Sequence, residues 1–303
     1  MTPADPADAG FDPAALDAER RRLLSLAFRM LGTVADAEDA VQETYARWYR
    51  MPPADRAAVE NVAAWLTTTA SRICLDQLGS ARARRERYVG EWLPEPLPAS
   101  AFGDPAATAD PLDRVTLDDS VSTALLIVLE RMTPAERVAF VLHDVFAMPF
   151  DEIGEVVGRS PAAARQLASS ARRRVREGRT VAPGAPRHRE VVQTFLAAAA
   201  GGDLGALVRV LDPEVRLVSD GGGFASAALR PVLGADHVAR FLLGIVAKRP
   251  DMVLEPHVTA DGIVLAAGVD GVVDTVMGFE VEGDRVSGVW IMRNPEKLRL
   301  WNR

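Results

Sequence analysis

At 303 residues, with 48% hydrophobic and 25% charged side chains, the chain is too long for one ordinary core and too apolar for disorder, so two or three modules are expected. A formal net charge of −7 means that any surface for a polyanion must be local, and no apolar run reaches the length of a membrane span. The single cysteine, Cys74, excludes an internal disulfide and a cysteine-based zinc site. With an acidic start unlike a secretion signal, the plain reading is a cytoplasmic protein.

Charge and proline mark the boundaries. Arginine dominates from Arg72 to Arg87. Between Glu91 and Asp119 acids outnumber Arg114, and Pro94, Pro96, Pro98, Pro105 and Pro111 fall in the same stretch, as in an extended linker. Arg159 to Arg179 is basic again, and VAPGAP (Val181 to Pro186) makes a second break. The expected order is a flexible tail (1–12), a helical module (13–90), an acidic Pro-rich linker (91–118), a second helical module (119–180) and a C-terminal α+β module (187–303).

The first helical module reads as three helices. Leu16, Leu23, Leu24, Ala27 and Leu31 give one apolar stripe. From Thr33, Ala37, Ala40, Val41, Thr44 and Trp48 face inward and leave Asp36, Asp39, Gln42, Glu43 and Arg47 outside, until MPPAD breaks the pattern. From Asn61, Val62, Leu66, Ala70 and Ile73 make the third stripe.

In the second module Thr133, Pro134 and Glu136 form a capping box ahead of Val138, Val141, Leu142 and Val145. FDEIGEVVG is a short helix stopped at Gly158, and Ser160 and Pro161 open the next. There Ala164, Leu167, Ala168, Ala171 and Val175 form a narrow buried stripe opposite Arg165, Gln166, Ser169, Ser170, Arg172 and Arg173. A short helix, a glycine turn and a capped basic helix make the helix-turn-helix layout, whose second helix enters the major groove. His143 reads as a surface or packing histidine.

The C-terminal module begins with helices at REVVQTFLAAAAGG and DLGALVRVL. A strand follows that ends at DGGG, then a helix at GADHVARFLLGIV. Strands are expected at Met252–Thr259, Ile263–Val269, Val272–Phe279 and Arg285–Met292, giving helices against a curved antiparallel sheet, an α+β cone.

The segment LLSLAFRMLGTVADAEDAVQETYARWYR followed by NVAAWLTTTASRICLDQL resembles region 2 of the extracytoplasmic-function sigma factors. The resemblance implies that Asp36, Glu38, Asp39, Gln42 and Glu43 face core RNA polymerase. It implies that Met51 to Asn61 capture an unstacked promoter base, and that Trp65, Arg72 and Asp76 follow the separated strand. Gly79 departs from the family's usual basic residue. LERMTPAERVAFVLHDVFAMPFDEIGEVVGRSPAAARQLASSARRRV is similar to sigma region 4. On that likeness Arg165 and Gln166 read promoter bases, while Ser160, Ser169, Arg172 and Arg173 contact DNA beside them.

The C-terminal module resembles the SnoaL-like, ketosteroid-isomerase-like fold. Sigma factors with such a fused domain share three motifs that stand here as WLPEP (Trp92, Leu93, Pro94 and onward), DGGG (Asp220, Gly221, Gly222, Gly223) and NPEKL (Asn294, Pro295, Glu296, Lys297, Leu298). These imply a regulatory contact between modules and an autoinhibited state, with Glu296 and Lys297 bridging to a neighbouring module. No metal, cofactor or catalytic residue is implied, and the partners are core RNA polymerase and promoter DNA, with no membrane. The chain is expected to be a monomer when free, and a small ligand in the cone is left open.

Two rival classes stay open from the residues alone. One is a one-component helix-turn-helix regulator. The other is a SnoaL-like enzyme tethered to a DNA-binding module, using Asp220, Asp236, Asp274, His237 or His257.

Overall fold

A computed structural model describes residues 13–85, 88–98, 101, 123–178, 185–249, 251–259 and 262–302. The expected tail, most of the acidic run from Asp104 to Asp119 and Val181 to Gly184 lie outside the described residues. The chain divides into two compact units: among the described residues, 13–82 and 129–174 of the helical modules form one, and 83–85, 88–98, 101, 123–128 and the chain from Val175 onward form the other.

In the helical unit, α1 (Pro13–Leu31) packs on α2 (Val34–Arg50), and a short α3 (Pro53–Ala57) precedes α4 (Val62–Arg85). The module therefore has a fourth helix where three were expected, because Pro53 sits at the first helical position of MPPAD and starts a turn there. Thr33 caps α2 by accepting from the Asp36 amide at 3.2 Å, and Asn61 caps α4 through the Ala64 amide at 3.0 Å. The stripe on α1 is wider than expected: every residue from Leu23 to Leu31 is buried, Ser25 and Arg29 included.

Cover for α1 comes from the second helical module. After α5 (Thr123–Glu130), α6 (Pro134–Phe140) runs into a π turn at Val141–Val145 that packs on α1. The capping box of Thr133 and Glu136 is present in full. The helix-turn-helix comprises α7 (Phe150–Val157) and α8 (Pro161–Gly178). Gly158 ends α7 in the left-handed region at φ 64°, open to glycine without strain. Gly154 lets the turn close, since a β-carbon there would meet the Arg159 carbonyl oxygen at 2.8 Å. Ala164, Ala168 and Ala171 are fully buried and Val175 nearly so, whereas Leu167 and Val157 are only half-buried.

The C-terminal unit has α9 (Ala185–Ala200), α10 (Leu204–Val210) and α11 (Ala235–Lys248) against a six-stranded sheet. The strands are β1 (Leu211–Asp220), β2 (Val232–Leu233), β3 (Val253–Thr259), β4 (Gly262–Val269), β5 (Val272–Glu282) and β6 (Arg285–Met292), in the order β2-β1-β6-β5-β4-β3. The sheet is mixed, not wholly antiparallel as expected: β1 runs parallel to β6, with Asp220 opposite Met292. The crossover through α11 and the three antiparallel strands that follow allow this pairing. One face, with Leu217, Leu265, Met277, Phe279 and Ile291, packs on the helices. The other holds a second core of Val218, Val264, Ala266, Val276, Met292 and Leu298, completed by Leu93 from the linker.

Candidate functional site

The parallel pairing decides where the motifs meet. DGGG follows the end of β1 and NPEKL follows the end of β6, so both leave the sheet at the same edge, tied by the Arg293 amide donating to the Asp220 carbonyl at 2.7 Å. Gly222 and Gly223 adopt φ 62° and 78°. Gly222 lies so close to Asn294 that a β-carbon would collide with its side chain, and Gly221 is pressed against the Ala225 carbonyl.

Into this edge comes the linker. The Asp220 carboxylate is fully buried and has four donors. Oδ1 accepts from the Tyr88 hydroxyl at 2.6 Å and the Gly222 amide at 2.9 Å. Oδ2 accepts from the Leu93 amide at 2.9 Å and Lys297 Nζ at 2.8 Å. Lys297 Nζ also donates to the Leu93 carbonyl at 2.6 Å and lies 4.0 Å from the centre of the Trp92 ring. Both backbone groups of one linker residue are thus taken by one ion pair. Asn294 donates to the Tyr88 oxygen at 2.8 Å, and the Trp301 indole donates to the Pro96 carbonyl at 2.9 Å. Burial, together with the carboxylate it bonds, pushes the Tyr88 phenol well above its ordinary range.

Of the three motifs, Trp92, Leu93, Pro94, Asp220, Gly221, Gly222, Asn294, Lys297 and Leu298 are brought together here. Glu296 departs from the expected bridging role: it is exposed, because the turn at Pro295–Lys297 sends Lys297 inward and its neighbour out. Tyr88 and Trp301 were missed, although an aromatic beside WLPEP and a tryptophan three residues after NPEKL were legible signals. The cleft left beside the linker is lined by Pro94, Pro96, Leu97, Val264, Gly278 and Trp290; it is narrow and apolar, and the small-ligand reading gains no support from it.

On α8, Ser160, Arg165, Gln166, Ser169 and Arg173 are exposed on one face. Two residues depart from that expectation. Ser170 turns inward and donates to Glu136 at 2.8 Å, and Arg172 is held by Asp144 through a 2.6 Å bond. On α2, Asp39 and Gln42 are exposed, while Asp36, Glu38 and Glu43 are half-buried. Asp36 accepts from the Thr33 hydroxyl and Glu43 pairs with Arg47. On α4, Arg72 and Asp76 are exposed, and Trp65 packs on Trp48 with ring centroids 5.2 Å apart. Arg137, on α6, is buried: it donates to the Arg29 carbonyl at 3.2 Å and to Glu130 at 2.5 Å. Burial pulls the Arg137 guanidinium down to about 9 and pushes the adjacent Cys74 thiol up to about 12.

A capped helix-turn-helix behind an acid-faced helical module is the layout of a protein of the helix-turn-helix class. The Sigma-70 region 2 model matches residues 16–84, and the Sigma-70 region 4 model matches residues 122–175. ECF RNA polymerase sigma factor SigJ of Mycobacterium tuberculosis (strain ATCC 25618 / H37Rv) is 42% identical over 294 residues, spanning 93% of this chain and 91% of that protein. Probable ECF RNA polymerase sigma factor SigI of Mycobacterium tuberculosis (strain CDC 1551 / Oshkosh) is 38% identical over 287 residues, with 94% of each chain covered. The crystal structure of Mycobacterium tuberculosis SigJ superposes with a TM-score of 0.75 at 38% identity, covering 95% of this chain and 98% of that one.

The chain belongs to the ECF RNA polymerase sigma factors, the proteins that direct transcription to chosen promoters. Its C-terminal domain has the helices-plus-sheet layout that the SnoaL-like resemblance implies.

Proposed function

We propose that this sigma factor is controlled in cis. The C-terminal domain seizes the segment that joins the two helical modules in sequence and keeps them from taking up promoter spacing. The observation that carries this reading is the capture of both Leu93 backbone groups by Asp220 and Lys297. In the open state region 2 (13–90) meets core RNA polymerase through Asp36, Glu38, Asp39, Gln42 and Glu43. Its Trp65, Arg72 and Asp76 follow the melted strand, and region 4 (119–180) reads the duplex with α8. The working site is the cytoplasm, with the free protein a monomer; among the described residues no helix is long and apolar enough to cross a membrane.

A non-catalytic C-terminal domain is the better reading, because the carboxylates available for proton transfer already have cations. Asp220 pairs with Lys297, Asp236 with Arg240 and Asp274 with Arg249. Run-off transcription with core RNA polymerase tests the control. Lys297→Met should raise promoter-dependent output, and unchanged or lower output with the linker demonstrably released rejects it. Trimming from Asn294 is a poorer test, since it strips Leu298 out of the second core. Docking is tested separately: reversing Asp39 and Glu43 to lysine should abolish co-purification with core polymerase while circular dichroism is unaltered.

A further inference from the structure

Arg165 and Arg172 lie two turns apart on α8, and the protein holds them in different ways. Arg172 has its Nε engaged by Asp144. Arg165 makes no hydrogen bond or ion pair among the described residues; its guanidinium carbon sits 5.0 Å from the centre of the Phe150 ring. A π face attracts a cation without consuming any N–H donor, so all five donors of Arg165 stay available for the paired acceptors of a guanine edge.

Phe150 is itself fixed. It opens α7 half-buried, and the His143 ring stacks on it with centroids 4.0 Å apart and planes 26° apart. His143 is set in turn by its Nδ1, which donates to the Met148 carbonyl at 3.0 Å. That bond is reachable because the chain makes a π turn at Val141–Val145 and then places Ala147 at φ 54°, folding Met148 back over the histidine. A distorted helix end and a strained alanine thus support a ring that reaches the solvent face of the recognition helix.

We propose that Phe150 is a positioning residue for promoter reading: its ring, braced by His143, pre-orders the Arg165 side chain for a base edge. The proposal rests on α8 being the reading helix. A free arginine gives up much side-chain freedom when it docks on a base pair, and a cation already resting on a ring has less to lose.

The test uses the full chain and a duplex selected by it from a randomised pool. Affinities are measured for that duplex and for its single-base-pair variants. Phe150→Leu should weaken binding to the selected duplex about two- to five-fold, the range of an exposed cation–π contact. It should flatten preference at the same base pair as Arg165→Ala, and add nothing in the Arg165→Ala background. Phe150→Tyr, which keeps the ring, should bind as the parent does. Phe150→Met serves in place of Phe150→Leu if the latter lowers the melting temperature. If Arg165→Ala alters base preference but loss of the ring does not, or if the two effects simply add, the positioning role is wrong. If Arg165→Ala alters nothing, the reading of α8 falls and the proposal with it.

Discussion

The carboxylate of Asp220 and the ammonium of Lys297 meet at 2.8 Å with almost no solvent contact, and each also bonds the backbone of Leu93 in the linker. Buried ion pairs are costly to assemble and costlier to halve. Lys297→Met, which leaves the buried Asp220 without its cation, should weaken linker docking by about 3–5 kcal/mol. Limited proteolysis should then cut near Trp92, and tryptophan fluorescence should report its exposure. A linker as protected as in the parent would show that the pair is incidental.

Gly222 and Gly283 both lie in the left-handed region, at φ 62° and 58°, but only the first faces a neighbour. Alanine at Gly283 should cost about 1–2 kcal/mol, the backbone penalty alone. Gly222→Ala adds the collision with Asn294 and should both melt at lower temperature and release the linker. Equal melting points for the two variants count against the close packing of the motifs.

On the recognition helix, Arg165→Ala should cost about 1–3 kcal/mol on the preferred sequence. Arg173→Ala should weaken all sequences alike and reduce the salt slope by about 1. Asp144→Ala frees Arg172 from its partner and should strengthen binding to any duplex. Titrations at several salt concentrations separate the three effects.

Arg137 joins the helical modules, with its Nε on the Arg29 carbonyl and its Nη2 without a hydrogen-bond partner. Its neighbour Cys74 is the chain's single cysteine, fully buried and pushed up to about 12 by that burial, so its thiolate is scarce and hidden. Arg137→Ala should loosen the packing and speed the reaction of Cys74 with a thiol reagent at pH 8, because exposure of the buried sulfur outweighs the loss of the guanidinium charge that favours its thiolate. A folded variant with an unreactive thiol would place the packing energy elsewhere.

Burial alone would raise the Glu136 carboxyl, but the Thr133 amide and hydroxyl, the Ser170 hydroxyl and Arg174 together hold it below its ordinary value. A depressed folded value stabilises the module above the unfolded value and is lost as pH falls through the folded one. Melting temperature should therefore drop on acidification below about pH 4.5, the unfolded value. Glu136→Gln, which keeps an acceptor for the Thr133 amide, should flatten that drop.

Much of the helical half was legible because its signals are local. Thr133 and Glu136 cap each other within one turn, Gly158 ends a helix by its own backbone, and Ala164, Ala168 and Ala171 recur at helical spacing. Burial of Arg29 and Arg137 was not legible. An arginine in an amphipathic helix reads as a solvated residue until another module covers it, and nothing local encodes that cover. The pairings of Ser170 with Glu136 and of Arg172 with Asp144 were not legible for the same reason: these partners lie 34 and 28 residues away.

By itself the sequence determined which segments matter: two helical modules in order, WLPEP, DGGG and NPEKL. Caps, glycines and periodicity act over a few residues and are written in adjacent letters. Only the tertiary structure decided that the three motifs form one site. Asp220 lies 77 residues from Lys297, and Lys297 lies 204 from Leu93. An antiparallel pairing of β1 with β6 would have sent DGGG and NPEKL to opposite ends of the sheet. The parallel pairing of β1 with β6 puts them side by side and leaves one buried carboxylate for the linker to find.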